Sequence, residues 1–275
     1  ISTIDAFCLS LLREFPLEAD VDPGFDLADD TEVSRLMEEA LDRALRICRA
    51  RARGDDDIAL VFAQLGERRL RDGLTALLGR RLVAPDVLRR FLEQGPRDLT
   101  AARACTAAAH RLRGLCGEVD EGLDRFLDDG PVTRPRFAML AADVRRICEK
   151  GAVPLFEARA EQAAFRVLLD RLRGYFLTQQ GEPRKAGFGG SGYSADDCAS
   201  PAAWKRHRER AAVIAPAVAD AVRAFRRDLN VVLSRGVWRM FAVALSTYQR
   251  TLEARALIDF SGVLQRAIDL LRQMD

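Results

Sequence analysis

Apolar and polar positions follow a helical period along most of this chain. Between Thr31 and Ala52 the apolar positions Val33, Leu36, Met37, Ala40, Leu41, Ala44, Leu45 and Cys48 recur three and four apart, opposite Glu32, Arg35, Glu38, Glu39, Asp42 and Arg43. That spacing gathers the apolar set on one stripe and predicts a surface helix with one buried face. The same period predicts helices over 57–65, 67–78, 85–92, 98–115, 119–127, 135–148 and 154–173. The connections carry helix punctuation at Gly54-Asp55-Asp56-Asp57, Gly95-Pro96 and Asp128-Asp129-Gly130-Pro131.

The period breaks over 174–201, where glycines and prolines forbid a long helix. Tyr175-Phe176-Leu177-Thr178 reads there as a short strand, with a turn at Gln180-Gly181. Helices resume over 202–233, with Pro216 as the place for a kink, then over 236–254 and 260–274. The expected fold class is all-α, an irregular multi-helix bundle with one Gly-rich loop or short hairpin at 174–201. No repeat of fixed period appears.

The chain opens ISTIDAFCLSLLREFPLEADVDPGF. A β-favouring Ile1-Ser2-Thr3 runs at once into an amphipathic stretch and then a Pro-containing loop. Such a segment closes a strand-to-helix turn, so the expectation is an excised piece of something larger whose preceding strand is missing.

Composition changes this picture only at the margins. At 275 residues a chain buries roughly 75% of the surface its unfolded form exposes, enough for one large or two modest domains. The 48% apolar and 31% charged fractions fit a soluble globular protein and exclude wholesale disorder. No apolar run approaches the roughly 20 residues a membrane span needs, and no signal peptide is visible, so the expected compartment is cytoplasmic, with no membrane partner. The net charge of +2 gives no global attraction for polyanions, so a nucleic-acid site has to be a local patch. The cations are nearly all Arg, with Lys only at Lys150, Lys185 and Lys205.

Candidate chemistry is sparse. Cys8, Cys48, Cys105, Cys116, Cys148 and Cys198 form no C-x-x-C, and His110 and His207 are the only histidines. Zinc and iron-sulfur sites lack ligand spacing, and the cysteines read as buried reduced thiols. No lysine follows a glycine, so there is no Gly-x-x-x-x-Gly-Lys-Ser/Thr loop to cradle phosphates. There is also no H-E-x-x-H and no G-x-S-x-G. The acidic pairs and triplets, Asp196-Asp197 included, read as solvated helix caps. No self-contained active site, catalytic residue or cofactor site is expected.

Three stretches then take on meaning together. Ser2-Thr3-Ile4-Asp5-Ala6-Phe7-Cys8, followed by Leu11-Leu12-Arg13 and Pro16-Leu17-Glu18-Ala19, resembles the T-x-H-S/A-F-C motif of UvrD-type superfamily 1 DNA helicases, closest to the AddA and RecB-like helicase-nuclease branch. Phe176-Leu177-Thr178-x-x-Gly181-x-Pro183-Arg184-Lys185 looks like the L-T-x-x-G-x-P-R-K turn of AddA proteins. Tyr248, then Ala256-Leu257-Ile258-Asp259-Phe260, Leu264, Ala267 and Leu270-Leu271, is similar to the stretch that precedes the Mg²⁺-binding Asp-Glu strand. Two departures stand out: Asp5 occupies the family's His position, and Ser261-Gly262 replaces an acidic pair.

The resemblance implies a DNA-contacting helical region, called domain 1B in that family, belonging to an ATP-dependent helicase or helicase-nuclease that works in repair and recombination. It implies residues 1–28 as a remnant of motor domain 1A, 29–255 as the helical insertion, and 256–275 as the helix returning to the motor. ATP and Mg²⁺ would belong to the parent protein, whose partners would be DNA, single-stranded or at a junction, and a heterodimer subunit of AddB type. The DNA-binding candidates are Ser2, Thr3 and Asp5 at the opening helix, Arg184 and Lys185 beside Phe188 and Tyr193, and Lys205, Arg206 and Arg208 in the basic run Trp204–Arg210. Phe7, Leu11 and Phe260 read as core positions, and Asp259 as a helix start. The competing reading is a helical module that docks a partner subunit without touching nucleic acid.

Overall fold

The computed structural model describes residues 4–118, 122–148, 156–184 and 192–274. Within them lie the helices α1 (Ile4–Glu14), α2 (Asp30–Arg51), α3 (Asp56–Leu78), α4 (Ala84–Glu93), α5 (Ala101–Glu118), α6 (Gly122–Asp128), α7 (Pro135–Cys148), α8 (Arg159–Phe176), α9 (Pro201–Glu253) and α10 (Phe260–Met274). The extended segments β1 (Asp26–Leu27) and β2 (Leu257–Ile258) are two residues each. The protein is all-α, as the period predicts. It divides into two compact units, residues 1–97 with 233–275, and residues 98–232.

In the first unit two cores form. The stripe of α2 buries Leu36, Ala40, Leu41, Ala44, Leu45 and Cys48 against Ile58, Val61, Leu70, Leu74 and Leu78 of α3 and against Met240, Phe241, Ala244 and Tyr248 of α9. Each such buried Leu, Ile or Phe stabilises the fold by about 1.5–3 kcal/mol. Asp29 caps α2 by accepting from the Glu32 amide at 2.7 Å, and Asp55 caps α3 by accepting from the Asp57 and Ile58 amides. α3 is broken at Gly66 (φ 69°, ψ 166°), which is the boundary expected between the helices over 57–65 and 67–78.

The second core joins the two ends of the chain. β1 and β2 pair in parallel, Asp26 with Leu257 and Leu27 with Ile258. The Asp26 amide donates to the Ala256 carbonyl and the Ala28 amide to the Ile258 carbonyl, both at 2.9 Å. Around this pairing α1 packs on α10, burying Cys8, Leu12, Ala19 and Phe25 with Ile258, Val263, Ala267 and Leu270.

In the second unit α5 presents a face of small residues, Ala101, Ala104, Cys105, Ala108 and Ala109, which admits close approach by α7 and α8. Phe165, Leu168, Leu169, Leu172, Tyr175 and Phe176 of α8 face inward, as do Ala211, Ile214, Ala215, Val218, Val222 and Phe225 of α9.

Several expectations need correction. α9 is one helix from Pro201 to Glu253, unbroken where a boundary was expected between Leu233 and Gly236. Gly236 has a packing reason to be glycine: a Cβ there would lie 2.6 Å from the Asp57 carbonyl oxygen and 2.7 Å from Val61. The expected strand at Tyr175–Thr178 is also displaced. Tyr175 and Phe176 complete α8, because their rings continue its buried stripe and burial outweighs β propensity. The turn itself forms: Leu177 bridges Pro183, the Thr178 amide donates to the Glu182 carbonyl at 2.8 Å, and Gly181 takes φ 87°. Finally, Cys148 is disulfide-bonded, against the expectation of reduced thiols throughout; its spacing carried no signal of that. Cys8, Cys48 and Cys105 are buried free thiols and Cys198 is half-buried. Burial pushes the Cys48 and Cys105 thiols up to about 11.

Candidate nucleic-acid interface

The opening helix turns Cys8 and Leu12 inward. Asp5 lies in its first turn, exposed, where a carboxylate favours the helix dipole and opposes a phosphate. Ser2 and Thr3 lie outside the described residues. Phe7 is not a core residue: it is 53% exposed, because the neighbouring position Cys8 takes the face toward α10. Leu11 is half-buried against that core.

At the loop, Arg184 folds back on its own turn. Its backbone amide donates to the Phe176 carbonyl at 2.8 Å and its Nη2 to the Gly174 carbonyl at 3.3 Å, while Nε is buried without a partner. Lys185 and Phe188 lie outside the described residues. Tyr193 is half-buried against Tyr175, ring centroids 5.5 Å apart.

The basic run of α9 separates into distinct environments, because a helix distributes consecutive residues around its axis. Lys205 is exposed and makes no ion pair among the described residues. Arg206 grips Asp129 with two bonds, Nε at 3.0 Å and Nη2 at 2.5 Å, and Arg210 reaches the same carboxylate at 3.2 Å. These guanidinium groups, Arg206 first, hold the Asp129 carboxyl below the usual range. Arg208 lies over the Trp204 ring, 6.0 Å from its centroid.

His207, inside the same run, is fully buried. It stacks on Phe126 at 4.3 Å with an interplanar angle of 13° and lies parallel to Trp204 at 5.7 Å. Its Nδ1 donates to the Phe126 carbonyl at 2.7 Å, which leaves Nε2 to accept from the Tyr175 hydroxyl at 2.5 Å. Burial pushes the imidazole down to about 4 and raises the Tyr175 phenol, so both partners are neutral. This histidine organises a core. The signal was present in the sequence, since Ala203, Ala211 and Ile214 place apolar neighbours four before, four after and seven after it.

The closing segment contains a second polar cluster. Asp259 is buried. It accepts from the Gly262 amide at 2.8 Å, which starts α10 as expected, and from the Tyr248 hydroxyl at 2.5 Å. It also pairs with Arg81, whose guanidinium lies 5.3 Å from the centroid of the Tyr248 ring. Arg81 carried no signal in the sequence. Phe260, expected to anchor the core, is 50% exposed, because capping by Asp259 turns Val263 and Ala267 inward instead. The cluster borders a cleft of about 510 Å³, lined also by Gln265, Arg266 and Asp269. Asp259 is held at once from α9 by Tyr248, from α10 by the Gly262 amide and by Arg81 just after α3, so the cluster acts as a clasp between these elements.

The acidic runs are partnered by the protein itself. Asp57 takes Arg235 through two bonds, Asp55 takes Arg239, and Asp197 takes Arg134 and the Ser194 amide. Among the described residues no group of three His, Cys, Asp or Glu could hold a metal ion, and no helix is long and apolar enough to cross a membrane.

Parts of the chain are similar to curated ATP-dependent helicase/nuclease subunits of the AddA type. Identity is 37% over 68 residues with the protein of Geobacillus thermodenitrificans, covering 25% of this chain and 6% of the relative. It is 57% over 42 residues with that of Bacillus pumilus, covering 15% and 3%. With that of Heliobacterium modesticaldum it is 33% over 113 residues, covering 34% and 8%. The resemblance to AddA-type helicase-nucleases drawn from the sequence is supported by these matches. The matched stretches span less than a tenth of the length of each of these relatives. No family model matches the chain.

Proposed function

We propose that this chain is a DNA-contacting helical region, of the 1B type, of an AddA-like ATP-dependent helicase-nuclease that works in DNA repair and recombination. In this reading residues 1–28 and 256–275 belong to the motor, residues 29–255 are the helical insertion, and ATP and Mg²⁺ are bound by the parent protein elsewhere. The DNA is single-stranded or at a junction, the compartment is cytoplasmic, and a second subunit of AddB type completes the enzyme.

One observation supports the reading most. The opening and closing segments, which carry the helicase-like motifs, lie at opposite ends of the sequence and form one substructure through β1 with β2 and α1 with α10. Two motor remnants flanking an insertion have to meet in this way. For the DNA contact, Lys205 is exposed and makes no ion pair among the described residues, Arg208 and Trp204 offer a cation and a ring, and helix α1 offers its N-terminal amides.

The test is equilibrium binding of the chain to single-stranded and forked DNA. Affinity is expected to fall steeply between about 50 and 200 mM salt, as counterion release requires. The chain alone is expected to hydrolyse no ATP. Undetectable or salt-independent binding to both DNAs counts against the reading, and ATP turnover that follows the purified chain contradicts the division of labour.

A further inference from the structure

One cleft of the first unit runs against the charge of the chain. The sequence has a net charge of +2, but the cleft of about 510 Å³ beside the Asp259 cluster is lined by five carboxylates and two guanidinium groups, three negative charges in excess. Asp259 and Arg81 pair with each other. The other carboxylates come from separate elements: Glu18 and Asp20 from the loop after α1, Glu253 from the end of α9 and Asp269 from α10. Arg266 lies 3.7 Å from Asp20 and 3.6 Å from Glu253, and its Nη1 also donates to the Ala19 and Asp20 carbonyls, so one guanidinium is shared among all of these. Glu18 and Asp269 make no ion pair among the described residues. Asp269 accepts from the Gln265 amide at 3.0 Å, which leaves its charge in place.

A concavity lined by one sign of charge focuses the field and concentrates counter-ions. The arrangement of the carboxylates decides which cation fits. Among the described residues no three acids stand close enough to hold a metal ion, so the charge is too dispersed for one compact cation. Between the acids the wall is apolar, from Leu82, Pro85, Leu245, Leu252 and Leu270. Dispersed carboxylates over an apolar wall complement a methylene chain that carries several separated ammonium groups. The stems cover the leucines, as a Lys stem covers apolar surface, and the ammonium groups stay at the rim. The volume falls within the roughly 300–1,000 Å³ of small-molecule sites.

We propose that this cleft binds a linear aliphatic polyamine, with its ammonium groups on Glu18, Asp20, Glu253 and Asp269 and its methylenes on the leucine wall. The proposal does not rest on DNA contact, since the same field repels a phosphate.

The probe is spermidine, titrated into the full chain at constant ionic strength and followed by backbone amide shifts and calorimetry. It is expected to perturb residues 18–20, 253 and 261–273 with half-saturation below about 1 mM, and n-butylamine, with one ammonium on a similar stem, to bind at least about tenfold more weakly. Asp20→Asn and Asp269→Asn are each expected to weaken spermidine about threefold, as for exposed ion pairs, and together about tenfold. Both side chains are exposed, and Asp20 takes φ 52°, a conformation in which Asn is also enriched, so the fold is retained. Asp269→Asn keeps the test alive if the loop variant misfolds. No saturation below about 10 mM, shifts confined to other residues, or affinity unchanged in both variants overturns the proposal. So does displacement of spermidine by Mg²⁺ at matched ionic strength, which would make the site one for a metal ion. Tighter binding of a Lys-Lys-Lys peptide at the same residues overturns it in favour of a basic protein segment. DNA affinity of both variants without spermidine is expected to be unchanged, so failure of this site and failure of the DNA reading are separable.

Discussion

His207 sits in the densest basic run of the sequence, yet the fold keeps it uncharged. Burial drives its imidazole from 6.5 to about 4, and its two nitrogens are committed to the Phe126 carbonyl and the Tyr175 hydroxyl. The unfolded chain binds a proton below 6.5 that the folded chain refuses until about 4, so stability is lost as pH falls through that window. The full loss is on the order of 3 kcal/mol. Urea unfolding of the chain across this window is expected to show that slope, and His207→Gln is expected to flatten it while lowering the baseline. A slope identical in both proteins contradicts the buried neutral assignment. Two glycines offer a contrast of the same kind. Gly73 lies in α3 with open space around its Cβ direction, so Gly73→Ala is expected to stabilise by about 0.5–1 kcal/mol. Gly236→Ala is expected to destabilise by about 1–3 kcal/mol, because the new methyl meets the Asp57 backbone. Thermal melts of the two variants should move in opposite directions.

Among elements, the same contact explains why α9 runs on past Gly236. Arg235 and Arg239 stand on either side of that glycine and reach Asp57 and Asp55 at the start of α3, so the acidic triplet both caps α3 and receives α9. Asp57 is largely shielded from water, so Asp57→Ala or Arg235→Ala, each removing the two-bond contact between them, is expected to cost about 1–3 kcal/mol. The double variant should cost less than the sum, and strict additivity in a double-mutant cycle would show that the pair is not coupled. These elements also show what the sequence revealed. Helix positions were legible because burial of one stripe is a local signal, as in α2 and α10, and the break at Gly66 was legible because its neighbours carry separate stripes. The continuity of α9 was not legible, since a glycine that breaks a helix in isolation joins one here through a contact with residues far away in the chain. Arg81 was invisible for the same reason, as its partners Tyr248 and Asp259 arrive from another part of the sequence. The cations were legible as a run, but that Arg206 is neutralised while Lys205 makes no ion pair among the described residues depended on Asp129, which only folding brings near.

For the whole molecule, the net charge is near zero, so the proposed DNA contact has to run through a few local cations. The excess of Arg is no measure of that capacity, since Arg43, Arg71, Arg134, Arg171, Arg206, Arg235 and Arg255 are all spent on carboxylates of the protein itself. What remains for a phosphate is local, and Lys205 is one candidate that makes no ion pair among the described residues. The most direct measurement is therefore the salt dependence of single-stranded DNA binding for the chain and for Lys205→Gln and Arg206→Gln. Lys205→Gln is expected to lower the slope of log affinity against log salt by about 0.7, the value of one phosphate contact on a single strand. Arg206→Gln should leave the slope unchanged. Equal slopes for the unmodified chain and Lys205→Gln, or a slope lost only with Arg206, would contradict it.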